Sequence, residues 1–531
     1  MASVGEALIA GLKARGVEVV FGIPGVHTVE LYRGLAGSGI RHITARHEQG
    51  AGFMADGYGR VSGKPGVALV ITGPGVTNVL TPMGQARADS SPMLVISGVN
   101  DRASLGKGLG KLHELPDQLG LAAKVALTAT RVERPEDLAP ALDAAFAALA
   151  SGRPGPHHIE IPLDVMPLPA PAPGEPPLTP TPSLPPGLDA AARLLAGASR
   201  PVILAGGGAR RAEAALREVA EALDAPVIQT ANARGLLHGH PLTVAASPSL
   251  APVRALVAEA DAVLAVGTEF GQTDYDMMVD GLWPAPARLV RIDISAAQLR
   301  RHEAEIPLQG HAETLLPALA ARLPSRPPAE GAARAAMARK GARAGLDAGL
   351  AACADVLDAI RDAVPGALVV GDSTQAVYAG NLSYDHDRPG GWFNAATGYG
   401  ALGFAIPASI GAALAAPGTP VISLNGDGGA QFSLAELMTA AEEKLPITFL
   451  IWNNHAYQEI AWAMREAETE VIGCHPAPPD LEAVAKSCAM PYRRTGPAPA
   501  DVAAALRALP PTTGPVLIEI ADAAPPLDRP A

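Results

Sequence analysis

The sequence predicts an α/β protein of three doubly wound domains, each a parallel sheet covered by helices. Three observations carry this prediction. Short strand-like runs are apolar at nearly every position, so both of their faces must be covered. They alternate with longer, alanine-rich amphipathic runs, which is the rhythm of βαβ units. Two stretches with neither pattern divide the 531 residues into three parts of similar size.

The strands are readable in chain order. The first part contains "VEVVFGI", "GVALVIT" and "PMLVISG", the second "PVILAGGG", "DAVLAVG" and "RLVRIDI", and the third "ALVVGDS", "PVISLNGDG" and "ITFLIWNN". Between the first two parts, "MPLPAPAPGEPPLTPTPSLPPG" (Met166 to Gly187) is too rich in proline for helix or inner strand. Between the last two, "LPSRPPAEGAARAAMARKGARAG" (Leu323 to Gly345) loses its apolar period and resumes as a surface-like helix. The expected domains are therefore 1–166, 188–322 and 346–531. In sheets of this kind ligands bind at the carboxyl ends of the strands, so the polar tails of the strands are the places to search.

Bulk composition excludes several function classes. Hydrophobic residues make up 48% and charged residues 18%, values of a folded globular chain. A net charge of −12 argues against nucleic-acid and anionic-membrane partners. Cys353, Cys474 and Cys488 are too few and too scattered for a disulfide framework or a zinc site, which points to a reducing cytoplasm. The N-terminal stretch lacks the unbroken apolar core of a signal peptide, and no apolar run is long enough to cross a bilayer.

The strongest chemical signal is "LNGDGGAQFSLAELMTAAEEKLPITFLIWNN" (Leu424 to Asn454). Asp427 lies at the carboxyl end of one strand, and Asn453 and Asn454 end the next. Neighbouring parallel strands would let Asp427 and Asn454 share an ion. One carboxylate with neutral oxygens suits Mg²⁺ or Ca²⁺, completed by phosphate oxygens and water. Gly426, Gly428 and Gly429 let backbone approach a diphosphate closely, and a helix beginning near Ser433 would add a favourable dipole.

This segment resembles the cofactor motif of thiamine-diphosphate enzymes. The resemblance implies that Asp427, Asn454 and the carbonyl of Ala456 bind Mg²⁺. Ala456 stands where the family commonly has glycine, a departure that a carbonyl ligand tolerates. A second segment, "RHITARHEQGAGFMADGYGR" (Arg41 to Arg60), is similar to the family signature that carries the activating glutamate. That glutamate is Glu48. The resemblance implies that its carboxyl bonds the pyrimidine ring of the cofactor and so promotes loss of the C2 proton. Glu48 opens a helix whose Ala51, Gly52, Ala55 and Gly59 form a small-residue face for close packing.

In "NAATGYGALGFAIPASIGAALAAPGTPV" (Asn394 to Val421) the same likeness assigns Leu402 as the wedge that bends the cofactor and Gly400 as a carbonyl acceptor. "GDSTQAVYAG" ends another strand, where Ser373, Thr374 and Gln375 can reach the diphosphate or the pyrimidine. "VITGPGVTNVLTPMGQARADSSPMLVISG" resembles the acetolactate-synthase branch rather than the pyruvate-decarboxylase branch, whose histidine pair in the first domain is not found. His113 in "KLHELPDQ" and His27 in "GIPGVHTVELY" fall where family members line the substrate entrance, and either could move a proton. Related synthases bind FAD in the central domain. Here "TANARGLLHGHPLTVAASPS" departs from their glycine-rich continuation, which puts FAD in doubt.

The implied activity is loss of CO₂ from a small 2-oxo acid, releasing an aldehyde. "GVHTVELYRGL", "KLHELPDQ" and "GQTDYDMM" together look like 5-guanidino-2-oxopentanoate decarboxylases, which act on the oxo acid of arginine. A guanidinium wants a planar carboxylate partner, and Asp274, Asp276, Glu459 and Glu466 are candidates. Two alternatives stay open: carboligation as in acetolactate synthase, and a non-catalytic, cofactor-binding regulatory protein. The family builds its sites between subunits, which implies a homodimer or homotetramer.

Overall fold

The computed structural model describes residues 2–171, 174, 184–277 and 279–522. Its frame is three six-stranded sheets, parallel throughout, as the apolar strands predict. The first contains β1 (Val19–Gly22), β2 (Arg41–Thr44), β3 (Gly66–Val70), β4 (Met93–Val99), β5 (Thr128–Arg131) and β6 (Pro156–Pro162), in the order β2-β1-β3-β4-β6-β5. The central sheet contains β7 (Pro201–Ala205), β8 (Val227–Gln229), β9 (Thr243–Val244), β10 (Ala262–Val266), β11 (Leu289–Asp293) and β12 (Ile306–Gln309), in the order β12-β11-β10-β7-β8-β9. The third contains β13 (Leu368–Gly371), β14 (Trp392–Asn394), β15 (Val421–Gly426), β16 (Ile447–Asn453), β17 (Tyr492–Thr495) and β18 (Val516–Ala521), in the order β14-β13-β15-β16-β18-β17.

The first and third sheets thus share one topology. In each, the winding reverses between the first and third strands, and that reversal opens a crevice at the carboxyl ends. One apolar cluster spans both sheets, from Phe53 and Met83 to Phe404 and Ile451. At its centre the helix Glu48–Ser62 crosses the helix Ala405–Ala415. The crossing is close because small residues meet there. A methyl group on Gly411 would lie 1.9 Å from the carbonyl oxygen of Met54, and one on Gly57 would lie 2.1 Å from that of Ala408. The expected small-residue face is also used: Gly52 abuts Pro82, and Gly59 abuts the Pro92 carbonyl.

A buried ion network lies beside this crossing. Arg60 bonds Asp56 and Asp89, each at 2.7 Å, beneath the rings of Phe393 and Phe404. Asp89 also accepts from Thr397 at 2.6 Å and from Asn232 at 3.4 Å, so one carboxylate touches segments of all three sheets.

The two expected linkers differ from expectation. Met166 to Ala170 folds back on the N-terminus, with Val4 bonding Leu168 and Ala170 bonding Ala2; most of the remaining proline-rich stretch lies outside the described residues. The stretch Leu323 to Gly345 contains the helix Gly331–Ala344, and this helix is not surface-like. Its Ala335, Ala338 and Ala342 are buried in a cluster with Val253 and Val257. An alanine stripe is narrow enough to dock closely although it carries little hydrophobicity. Among the described residues no helix is long and apolar enough to cross a membrane.

The helix crossing gives a direct test. Gly411→Ala should lower the denaturation midpoint and the yield of folded protein, because overpacking of a rigid contact costs about 1–3 kcal/mol. Gly197→Ala, at the exposed end of the helix Leu188–Gly197 where an added methyl meets nothing within 4 Å, should leave that contact intact and the midpoint nearly unchanged. Thermal unfolding of both variants checks the difference.

Candidate active site

Strands β15 and β16 pair up to Gly426 and Trp452, so their carboxyl ends are neighbours and Asp427 meets Asn454. Asp427 is only 3% exposed. Burial pushes its carboxyl pKa up, against backbone hydrogen bonds from Asn454 and Gly428 that favour the charged form. Its Oδ2 is buried with no hydrogen-bond partner among the described residues. A buried carboxylate oxygen left unpaired is costly unless a ligand completes it. The side-chain oxygen of Asn454 accepts from the Ala456 amide at 3.2 Å. Asn453 turns away instead, donating to Glu519 at 2.8 Å.

The helix expected to begin near Ser433 is split. A helical turn, Asp427–Ala430, starts at the aspartate itself, and a second helix runs Glu436–Glu442. Close approach of backbone, rather than a long helix dipole, is what this loop provides. A methyl on Gly428 would lie 2.3 Å from the ring of Tyr457, and one on Gly429 would lie 2.8 Å from Oδ1 of Asp372.

The end of β13 joins the same edge. Thr374 Oγ1 would lie 3.2 Å from a methyl on Gly426, Ser373 bonds Asp372, and Gln375 donates to Glu459. Asp372 is fully buried, and burial raises its carboxyl pKa to about 6 despite N–H donors that include Ser373, Gly403, Phe404 and Ala405. It thereby fixes the turn that carries Gly400 and Leu402. Gly400 has a φ of 77°, as a tight turn requires, and donates its amide to the Ala395 carbonyl at 3.1 Å.

The first sheet gathers a second group. Glu48 opens its helix as expected and accepts a hydrogen bond from Asn78 Nδ2 at 2.9 Å. Asn78 sits in the first turns of the helix Pro74–Ala88, which leaves the end of β3. His27 and His113 follow different strands, yet their rings stack edge to face with centroids 5.0 Å apart. Burial, and then the neighbouring His113, push the His27 pKa down. Both rings keep a buried Nδ1 with no hydrogen-bond partner among the described residues. His113 takes a φ of 61° and is held by Gly73, where a methyl would lie 2.4 Å from its carbonyl oxygen. Gln118 locks this loop, accepting from Gly73 and donating to Glu160 and the Gly98 carbonyl. His27 and His113 thus form a pair in space that the sequence does not announce. Each residue was readable alone, but nothing in the sequence joins them.

The four acids separate. Glu459 belongs to the edge with Asp427. Glu466 lies exposed at the far end of the same helix, Gln458–Glu466. Asp274 and Asp276 belong elsewhere, because their side chains answer to the central domain. Asp274 accepts from the Ala231 amide at 2.8 Å, and burial raises its pKa to about 6. Asp276 accepts from the amides of Asp280 and Gly281, each at 3.2 Å. Asp274 lines a cleft of about 360 Å³ at the carboxyl ends of the central strands, between Gly206–Gly208, Gly267, Arg153 and Asp89. Sequence reasoning missed Asn78, Asp372 and Glu436. Asn78, a polar residue early in a helix after "GPG", was the one with a local signal.

These residues fit a metal-bound diphosphate: an orphaned buried carboxylate oxygen, an amide oxygen beside it, and glycines where a side chain would collide. Comparison with known proteins agrees. Residues 2–121 match the family description "Thiamine pyrophosphate enzyme, N-terminal TPP binding domain", residues 188–319 its central domain, and residues 371–520 its C-terminal TPP binding domain. The chain is 44% identical over 498 residues to "Probable 2-ketoarginine decarboxylase AruI" of Pseudomonas aeruginosa, covering 90% of this chain and 86% of that one. It is 32% identical over 472 residues to "Acetolactate synthase isozyme 1 large subunit" of Escherichia coli, covering 85% and 81%. It is 31% identical over 502 residues to "Probable acetolactate synthase large subunit" of Methanocaldococcus jannaschii, covering 88% and 83%. The chain belongs to the thiamine pyrophosphate enzyme family, and its cofactor is thiamine diphosphate, which this family typically binds with a divalent metal ion.

Proposed function

We propose that the protein is a cytoplasmic decarboxylase of 2-oxo acids whose substrate is 5-guanidino-2-oxopentanoate, 2-ketoarginine, and whose products are the aldehyde and CO₂. The observation that carries this reading is the 44% identity, over 90% of the chain, to a relative named for that reaction. When bound, thiamine diphosphate supplies the nucleophile and the electron sink for breaking the carbon–carbon bond.

The chain's own residues hold and orient. Asp427, Asn454 and the Ala456 carbonyl hold Mg²⁺. Gly426, Gly428, Gly429, Ser373, Thr374 and Gln375 would surround the cofactor's polar groups, and Leu402 and the Gly400 carbonyl would hold its rings. Glu48, steadied by Asn78, presents its carboxyl to the pyrimidine ring. His27 and His113 move protons at the substrate. Burial and the neighbouring His113 push the His27 pKa down, which favours the neutral, proton-accepting imidazole, and the buried Nδ1 atoms of the pair, without a hydrogen-bond partner among the described residues, can meet a substrate. Glu459 receives the guanidinium, since it shares the edge of the third sheet with Asp427, whereas Asp274 and Asp276 are engaged in the central domain.

The sites lie between subunits of a homodimer or a larger assembly. Among the described residues no hydrogen bond joins Glu48 to Asp427 within one chain. Large apolar side chains stand exposed in the segments that carry the candidate residues, including Val26 beside His27, Leu112 beside His113, Tyr399 beside Gly400 and Phe432 after the Asp427 loop. Similarity to acetolactate synthases favours carboligation as the second reading. Product analysis with pyruvate separates the two, as acetolactate would appear instead of acetaldehyde.

Asp427→Ala should weaken thiamine diphosphate binding in Mg²⁺ buffer by about 10²-fold or more, since loss of even an outer-shell partner costs a metal site 10–100-fold. Calorimetric titration checks this, and unchanged affinity would remove Asp427 from the metal site. Mixing Glu48→Gln chains with Asp427→Ala chains under subunit exchange should restore activity, toward roughly a quarter of wild type for random pairing of independent sites. No recovery in proven hybrids would place both groups on one chain. In wild type, 2-ketoarginine should exceed pyruvate in kcat/KM by about 10²-fold, because a partly desolvated charge-assisted pair contributes about 2–3 kcal/mol. Glu459→Gln should remove most of that preference with little effect on pyruvate. If Glu459→Gln keeps it, the recognition acid lies elsewhere.

A further inference from the structure

Glu436 is a buried carboxylate that none of the roles above uses. It begins the helix Glu436–Glu442, downstream of the Asp427 loop in the third domain, and is 1% exposed. Its Oε1 accepts the backbone N–H of Arg46 at 2.9 Å and that of His47 at 3.0 Å, 390 and 389 positions away in the chain. These are the two residues before Glu48. Its Oε2 accepts from Thr439 at 2.6 Å. Gly50 makes the approach possible: a methyl there would lie 2.1 Å from Oε1. The elbow between β2 and the Glu48 helix is clamped further by Arg46, which reaches Glu442 at 2.6 Å and Thr439 at 3.2 Å.

We propose that Glu436 is a positioning residue for Glu48, holding the elbow so that the Glu48 carboxyl meets the cofactor at a fixed height and angle. The physical ground is the chemistry of the elbow. The amides of Arg46 and His47 precede the helix, so no helical carbonyl is available to them, and the Glu436 carboxylate pairs both. Charge-assisted bonds of this kind are about twice as strong as neutral ones. Without them the elbow would gain freedom, and a small displacement of a catalytic group costs rate far more than binding. The inference rests on the reading of Glu48 as the activating carboxylate.

The test compares Glu436→Ala, Glu436→Asp and Glu436→Gln. The glutamine carbonyl can still accept both amides while its NH₂ faces the Thr439 hydroxyl, so Glu436→Gln keeps the contacts without their charge assistance and should stay closer to wild type than to Glu436→Ala. Glu436→Asp is one methylene too short and should behave like Glu436→Ala, which keeps the question answerable if the alanine variant folds poorly. In the cofactor-free protein, hydrogen exchange at the Arg46 and His47 amides should rise about tenfold or more in Asp and Ala, and little in Gln. In the loaded protein, hydrogen–deuterium exchange at C2 of the cofactor should slow about tenfold in Asp and Ala, while cofactor affinity changes less than threefold. Unchanged amide exchange, or C2 exchange at the wild-type rate in Glu436→Asp, would overturn the proposal. Should Glu48→Gln itself exchange C2 at the wild-type rate, the reading of Glu48 fails, and the amide measurement alone still decides whether Glu436 braces the elbow.

Discussion

Everything at the candidate site depends on how closely two helices approach. The Glu48–Ser62 and Ala405–Ala415 helices cross with backbone against backbone, because Gly57 and Gly411 leave no side chain between them. One helix begins with Glu48, the proposed activating carboxylate. The other follows the turn that carries Leu402. Their contact is rigid because its dimensions are those of carbonyl oxygens and Cα atoms, which cannot change rotamer. Had the crossing used leucines, the spacing of the two sheets would have depended on side-chain packing that tolerates drift.

The buried charges beside this crossing fit the same logic. Arg60 between Asp56 and Asp89 is not an economical source of stability, since desolvation offsets much of the attraction. Its value lies in direction. Guanidinium and carboxylate must be coplanar, Asp89 must also meet Thr397 and Asn232, and only one arrangement of the three sheets satisfies every partner. Apolar packing supplies the energy and the polar network selects the register.

Local chemistry was legible in the sequence and long-range pairing was not. Asp427, Asn454 and Glu48 each end a strand or open a helix, so short stretches of sequence disclose them. The pairing of His27 with His113 could not be read, because loops from separate strands create it. Glu436 was hidden for the same reason, since its partners are backbone amides almost four hundred positions away. Asp274 and Asp276 could not be sorted from Glu459 in the sequence, because a carboxylate beside a short helix looks the same whether it faces a ligand or accepts backbone amides of its own domain. The helix Gly331–Ala344 was misjudged because alanine scores as weakly apolar while packing as tightly as any residue.

The folding back of Met166 to Ala170 onto the first residues has a topological consequence. Ala2 bonds Ala170, and Val4 bonds Leu168, so the two ends of the first α/β unit are adjacent in space. A unit whose ends touch is closed with respect to chain connectivity: it can be joined head to tail and reopened at an exposed loop without lengthening any path through the sheet. The chain therefore leaves the first unit beside the point where it entered, and the order of the three units along the gene is not dictated by the geometry of the first.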